Sequence, residues 1–157
     1  MAALDIGLGF ANAGDAQPIA RLSRDLIEAG LGWTYRPVRI RALMQESETV
    51  TLVARAGARF AGFAIMRFGD TRAHLILLAV DVPHQRQGVA RRMLGWLAES
   101  ARVAGIASIH VELRADNAPA LAFYRAAGFA ETFRMPGYYR GRETAVRMLH
   151  LLPTPLS

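Results

Sequence analysis

The spacing of apolar and polar positions changes along the chain, and each change marks an element. Residues 4–11 are apolar except for one acid and predict a first strand. Gly14-Asp15 then opens a helix with Pro18 in its first turn. Ile19, Leu22, Leu26 and Ile27 recur at helical spacing as far as Gly30. After a loop over residues 30–37, a short second helix over 37–46 takes its apolar side from Val38, Ile40, Leu43 and Met44. Residues 49–54 and 60–68 are β-rich runs joined by Arg55-Ala56-Gly57-Ala58-Arg59, a hairpin signature. A third run over 72–82 has an unbroken apolar centre, residues 75–80, which predicts a central strand buried on both faces.

From residue 87 to 105 the period turns helical, with Ala90, Met93, Leu94, Leu97, Ala101 and Ala104 on one stripe and Gly105 as C-cap. Ser108–Arg114 alternates strictly, with Ile109, Val111 and Leu113 opposed to His110, Glu112 and Arg114. Residues 117–127 predict a helix bounded by Pro119 and Gly128. Residues 129–135 and 143–152 predict two last strands joined by a turn over 136–141. The resulting order, β-α-α-β-β-β-α-β-α-β-β, is mixed α/β. It is antiparallel at the front and parallel where the long helix crosses over. One domain over residues 1–152 with a loose tail over 153–157 is expected.

Composition narrows the chemistry. All 19 cations among the 157 residues are arginines, and cysteine is absent. A Walker-type lysine, a Schiff-base lysine, a thiolate nucleophile, a disulfide framework and a Cys-ligated metal are thereby excluded. No metal centre is expected. The first cation is Arg21, so no basic leader is read, and no apolar run approaches the roughly 18 residues of a membrane span. A cytoplasmic protein without a membrane partner is the expectation. The net charge of +6 suits a phosphorylated cofactor or an acidic substrate. It also suits nucleic acid, but no recognition-helix or aromatic-and-arginine strand motif accompanies it, and no nucleic-acid partner is expected.

Two stretches can carry chemistry. In Gln85-Arg86-Gln87-Gly88-Val89-Ala90-Arg91-Arg92, a glycine opens a helix after a buried strand. The unpaired first-turn N–H groups, the helix dipole and three arginines together suit a pyrophosphate. A polar loop before a helix is the other reading. In the second stretch, Glu112 on its strand and Tyr124 on the next helix suit a proton acceptor and a proton donor. They also suit a solvated acid and a core aromatic. His110 shares the face of Glu112 and is either a relay or a solvated histidine. Trp33, Tyr35, Tyr138 and Tyr139 either line an acceptor cleft or pack. Arg134, Arg140 and Arg142 either attract an acidic acceptor or are surface charge.

Taken together, Gln85-x-x-Gly88-x-Ala90 and Asn117-x-x-Ala120-x-x-x-Tyr124-x-x-x-Gly128-Phe129 resemble the GNAT superfamily of acetyl-CoA-dependent N-acetyltransferases. Ala79-Val80-Asp81, Val111-Glu112-Leu113-Arg114-Ala115 and Tyr138-Tyr139 are similar to the ribosomal-protein-alanine N-acetyltransferases within it. The likeness covers about residues 49–152, roughly two-thirds of the chain, and the region 26–46 is not shared. The resemblance implies a partly splayed sheet flanked by helices, with acetyl-CoA as cosubstrate. It places the cofactor on Leu78, Ala79, Val80, Gln85, Arg86, Gln87, Gly88, Val89, Ala90, Arg91 and Asn117. It makes Glu112 the proton acceptor and Tyr124 the proton donor. The implied acceptor is the N-terminal α-amine of a peptide or protein. A small-molecule amine, or a CoA-binding module without catalysis, are the alternatives.

Overall fold

The computed structural model describes residues 5–153; Leu4 of the expected first strand and residues 154–157 of the expected tail lie outside them. Among the described residues there are seven strands: β1 (Ile6–Phe10), β2 (Thr49–Ala56), β3 (Arg59–Phe68), β4 (Arg72–Val80), β5 (Ser108–Arg114), β6 (Ala130–Tyr139) and β7 (Glu143–Leu151). Four α-helices accompany them: α1 (Ala16–Leu22), α2 (Pro37–Gln45), α3 (Val89–Val103) and α4 (Ala118–Ala126). The sheet order is β1-β2-β3-β4-β5-β7-β6. The β1–β2, β2–β3, β5–β7 and β6–β7 pairs are antiparallel, and β4–β5 is parallel. The mixed α/β order read from the sequence is the order found.

The residues form two compact units. Of the described residues, the first holds those up to Arg67 together with Leu77–Leu97, and the second holds Phe68–Ile76 and those from Ala98 on. In the first, α1 packs on α2 and α2 on β2. Ile19, Ile40, Leu43, Leu52, Phe63 and Ile65 are fully buried, each stabilising the fold by about 1.5–3 kcal/mol. In the second, Ile109, Val111 and Leu113 of β5 are buried together with Val146 and Met148 of β7.

Four sequence expectations are corrected. The first helix passes into a π turn at Ser23–Ile27, where the Glu28 N–H donates to the Ser23 carbonyl. The wider turn rotates the stripe, so Leu26 is 38 % exposed instead of apolar-side. The hairpin between β2 and β3 turns on Gly57-Ala58 alone, because Gly57 adopts φ +62° and a bulge at Ala54/Arg55 absorbs the slack.

β4 stops at Val80, where Asp81 caps a 3₁₀ turn over Val82–His84, and it is not buried on both faces. Ala73, Leu75, Leu77 and Ala79 are buried, while His74, Ile76 and Leu78 are half-exposed. β6 runs through Pro136-Gly137 to Tyr139, an edge position that tolerates proline. The turn lies at Arg140-Gly141, both at positive φ. Among the described residues no helix is long and apolar enough to cross a membrane.

Candidate functional site

The stretch after β4 folds as a helix entrance. Gln85 Nε2 donates to the Val80 carbonyl at 2.9 Å and Gln87 Nε2 to the Pro83 carbonyl at 3.3 Å. Two glutamines thus lace the loop to the strand end. Gly88 holds φ +82° with no atom within 4 Å of a Cβ built there, so the backbone is open on that side. Arg86 also adopts a left-handed φ, +62°. The Arg92 N–H closes the first helical bond of α3 onto the Gly88 carbonyl. Val89, Ala90 and Arg91 therefore have N–H groups that precede the helical ladder. One expectation fails here. The Arg92 guanidinium turns away to donate to the Ile6 carbonyl at 2.6 Å, leaving Arg86 and Arg91 as the loop's charges.

The Tyr124…Gly128-Phe129 spacing has a mechanical origin. Asn117 is the N-cap of α4 and its Oδ1 accepts from the Ala120 N–H at 3.2 Å. At the other end the Phe129 N–H donates to the Tyr124 carbonyl at 2.9 Å and the Gly128 N–H to the Arg125 carbonyl at 3.1 Å, with Gly128 at φ +98°. This is a Schellman closure, and the Tyr124 and Phe129 rings meet across it with centroids 5.3 Å apart. The hallmark residues are thus the two caps of one helix, and they fix the Tyr124 ring. Burial pushes the Tyr124 phenol well above its ordinary range, so it stays protonated.

Glu112 is held from both sides. Arg147, its register partner on β7, donates to Oε1 from Nε at 3.0 Å and from Nη2 at 2.5 Å. His74 Nε2 lies 2.6 Å from Oε2 and donates to it. The His74 and His110 rings, from register partners on β4 and β5, stack with centroids 4.5 Å apart and planes 10° off parallel. The Glu112 side chain is only 7 % exposed. Burial alone raises its carboxyl. The hydrogen bonds and positive charges of His74 and Arg147 outweigh that and bring it down to about 2. His110 is lowered, first by burial and then by the charge of His74, with Glu112 opposing.

Glu112 and Tyr124 are not brought together on one face. Tyr124 packs on Phe129, Phe129 on His150, and His150 is the register partner of Ile109. Ile109 points to the opposite side of β5 from Glu112. Sequence reasoning named His110 but missed His74 and Arg147. Strand parity placed both on usable faces; nothing in the sequence specified the register that sets them against Glu112.

The aromatic candidates separate. Trp33 donates from Nε1 to the Ala20 carbonyl at 3.1 Å, with the Arg24 and Arg36 guanidinium groups 5.1 and 5.0 Å from its ring centroid. The Tyr35 N–H donates to Glu28, which also accepts from the Thr34 N–H and the Ser23 hydroxyl. Both aromatics are thus anchored in the loop before α2. Tyr138 is 52 % exposed, edge-on to Tyr139. Arg134 is paired with Glu131 at 2.7 Å.

The chain is 39 % identical over 93 residues to the ribosomal protein bS18-alanine N-acetyltransferase of Escherichia coli strain K12, a match over 57 % of this chain. That match spans 63 % of the relative's own length, less than two-thirds. Against the N-alpha-acetyltransferase RimI of Mycobacterium tuberculosis it is 31 % identical over 139 residues, 86 % of this chain and 85 % of the other. The crystal structure of the ribosomal-protein-S18-alanine N-acetyltransferase from Escherichia coli superposes with a TM-score of 0.80 at 26 % identity, over 98 % of this chain and 97 % of that one. The model of the acetyltransferase (GNAT) family matches residues 20–129, well over half of the sequence, and the chain belongs to that family.

Proposed function

We propose that the chain moves the acetyl group of acetyl-CoA directly to a primary amine, the free α-amine at the N-terminus of a peptide or protein. The observation that carries the reading is the open helix entrance after β4, where Gly88 leaves the backbone clear beside the first-turn N–H groups of Val89, Ala90 and Arg91, in a chain that belongs to the acetyltransferase (GNAT) family. Relatives named as an alanine N-acetyltransferase of a ribosomal protein and as an N-alpha-acetyltransferase support the acceptor. A relative named for a ribosomal protein supports a cytoplasmic place of work.

The pyrophosphate of acetyl-CoA rests on the N–H groups of Val89, Ala90 and Arg91, with Gln85, Arg86, Gln87 and Gly88 shaping the loop around it. The pantetheine arm runs along the backbone of Leu78, Ala79 and Val80, and Asn117 completes the contacts. The Val80 carbonyl already accepts from Gln85, which directs the arm to the other backbone groups.

In the transfer, the neutral amine attacks the thioester carbon. The N–C bond forms as the C–S bond breaks. An α-amine ionises near 7.7–8.0, against about 10.4 for lysine, so a sizeable neutral fraction exists at neutral pH. Attack makes the nitrogen strongly acidic, and even a carboxylate as weakly basic as Glu112 then takes its proton, directly or through water. Tyr124 donates its hydroxyl hydrogen to the departing sulfur.

The test measures CoA release with three acceptors: a short peptide with a free N-terminus, the same peptide blocked there but carrying a lysine, and spermidine. Release with the first and not the others is expected. Release with the blocked peptide or spermidine alone removes the α-amine reading and leaves a small-amine or lysine enzyme.

A further inference from the structure

We propose that His74, His110 and Glu112 form a binding site for a first-row divalent transition-metal ion of the zinc class, held by two imidazole nitrogens and one carboxylate oxygen. One ligand atom from each of the three residues lies within 4.8 Å of the others. The arrangement follows from the sheet. His74 and His110 are paired across the parallel strands, and Glu112 is two residues further along the same face of β5. Two imidazoles and a carboxylate make a ligand set that zinc and its neighbours accept, with a remaining position for water.

Taking up an ion needs two adjustments. Ligand atoms about 2.0–2.2 Å from one tetrahedral ion stand about 3.3–3.6 Å apart. His74 Nε2 and Glu112 Oε2 are already closer than that, at 2.6 Å, joined by a proton that the ion replaces. His110 must swing inward. Its ring is stacked parallel to that of His74, and lone pairs of parallel rings do not converge. Rotation about the broad Cβ–ring torsion corrects this, and both histidines are half-exposed.

Arg147 and Arg72 set the limit on affinity. The Arg147 guanidinium sits on Glu112 Oε1, and Arg72 is a further positive charge acting on His110. Oε2 is therefore the oxygen for the ion, and the fixed positive charges weaken binding. The site is of moderate affinity, and it discriminates against magnesium and calcium, which prefer oxygen ligands.

The experiment titrates the full chain with Zn²⁺ by calorimetry and with Co²⁺ by visible absorption. One equivalent is expected, with a four-coordinate cobalt spectrum. His110→Asn weakens binding by at least about tenfold, Arg147→Gln tightens it, and His84→Asn and His150→Asn leave it unchanged. Line broadening by Cu²⁺ in the wild-type chain, confined to residues around His74, His110 and Glu112, tests the site without any substitution. Binding that survives His110→Asn, broadening centred on His84 or His150, or no binding at submillimolar Zn²⁺ overturns the proposal. On the acetyltransferase reading, zinc also inhibits transfer in parallel with its binding. A chain that binds zinc here and transfers no acetyl group removes only that reading.

Discussion

At the scale of single residues, Glu112 and Tyr124 owe their protonation states to opposite causes, and each gives a prediction. Glu112 has its folded value at about 2 against an ordinary 4.5. Because the folded value is the lower one, the unfolded chain binds more protons between the two. The stabilisation is full above pH 5 and is lost as the pH falls toward 2. Its size is at most about 3 kcal/mol. Urea unfolding in metal-free buffer is expected to show this decline, and Arg147→Gln to flatten it. Equal slopes in the two proteins would show that the ion pair contributes nothing. Tyr124→Phe removes one hydroxyl from a buried ring whose packing on Phe129 persists. Turnover is expected to fall by roughly 10²–10⁴ with little change in acetyl-CoA affinity. Unchanged turnover, with chemistry rate-limiting, makes the residue a packing aromatic.

At the scale of elements, two glycines test how strands and helices present the proposed cofactor contacts. A Cβ on Gly62 of β3 would stand 2.8 Å from the Ala79 carbonyl oxygen and 3.2 Å from the Val80 Cα. Both are backbone atoms and cannot turn aside. Gly62→Ala is expected to cost about 1–3 kcal/mol in unfolding experiments, as overpacking does, and to weaken acetyl-CoA binding by shifting the end of β4. A variant as stable as the parent would mean that β3 yields freely. Gly88 is the opposite case, since nothing crowds it and only its φ of +82° restrains substitution. Gly88→Glu puts a carboxylate beside the α3 N-terminus, where an anion is proposed to sit. Calorimetry should find acetyl-CoA binding abolished in a protein that still unfolds cooperatively; retained affinity would move the pyrophosphate elsewhere.

At the scale of the whole molecule, charge is the property that matters. Nineteen arginines face thirteen acids, and several acids are already engaged, among them Asp15 with Arg55, Glu46 with Arg67 and Glu131 with Arg134. The net charge of +6 disfavours a polycationic acceptor. For a peptide with acidic residues after its free N-terminus, KM is expected to rise as salt is raised from about 0.05 to about 0.5 M while kcat holds, because screening weakens attraction and leaves bond-making alone. A KM indifferent to salt would assign acceptor recognition to local contacts.

Much of this was legible in residue order because it depends on neighbours in sequence. The alternation of Ser108–Arg114, the α4 caps at Asn117 and Gly128, and the glycine before α3 are local devices, and the elements they predict are the ones found. Where a prediction slipped, a local pattern was overridden. The π turn moved Leu26 outward, and the unbroken apolar run of β4 concealed a half-exposed face. The immediate surroundings of Glu112 were beyond the sequence. His74 is 38 residues before it and Arg147 is 35 after it, and a strand's parity says which face a side chain takes but not which residue of a neighbouring strand lies beside it. Local chemistry therefore determined the elements and the candidate residues. The register of β4, β5 and β7 alone decided that a carboxylate named from its motif is an ion-paired one with a histidine pair at its side.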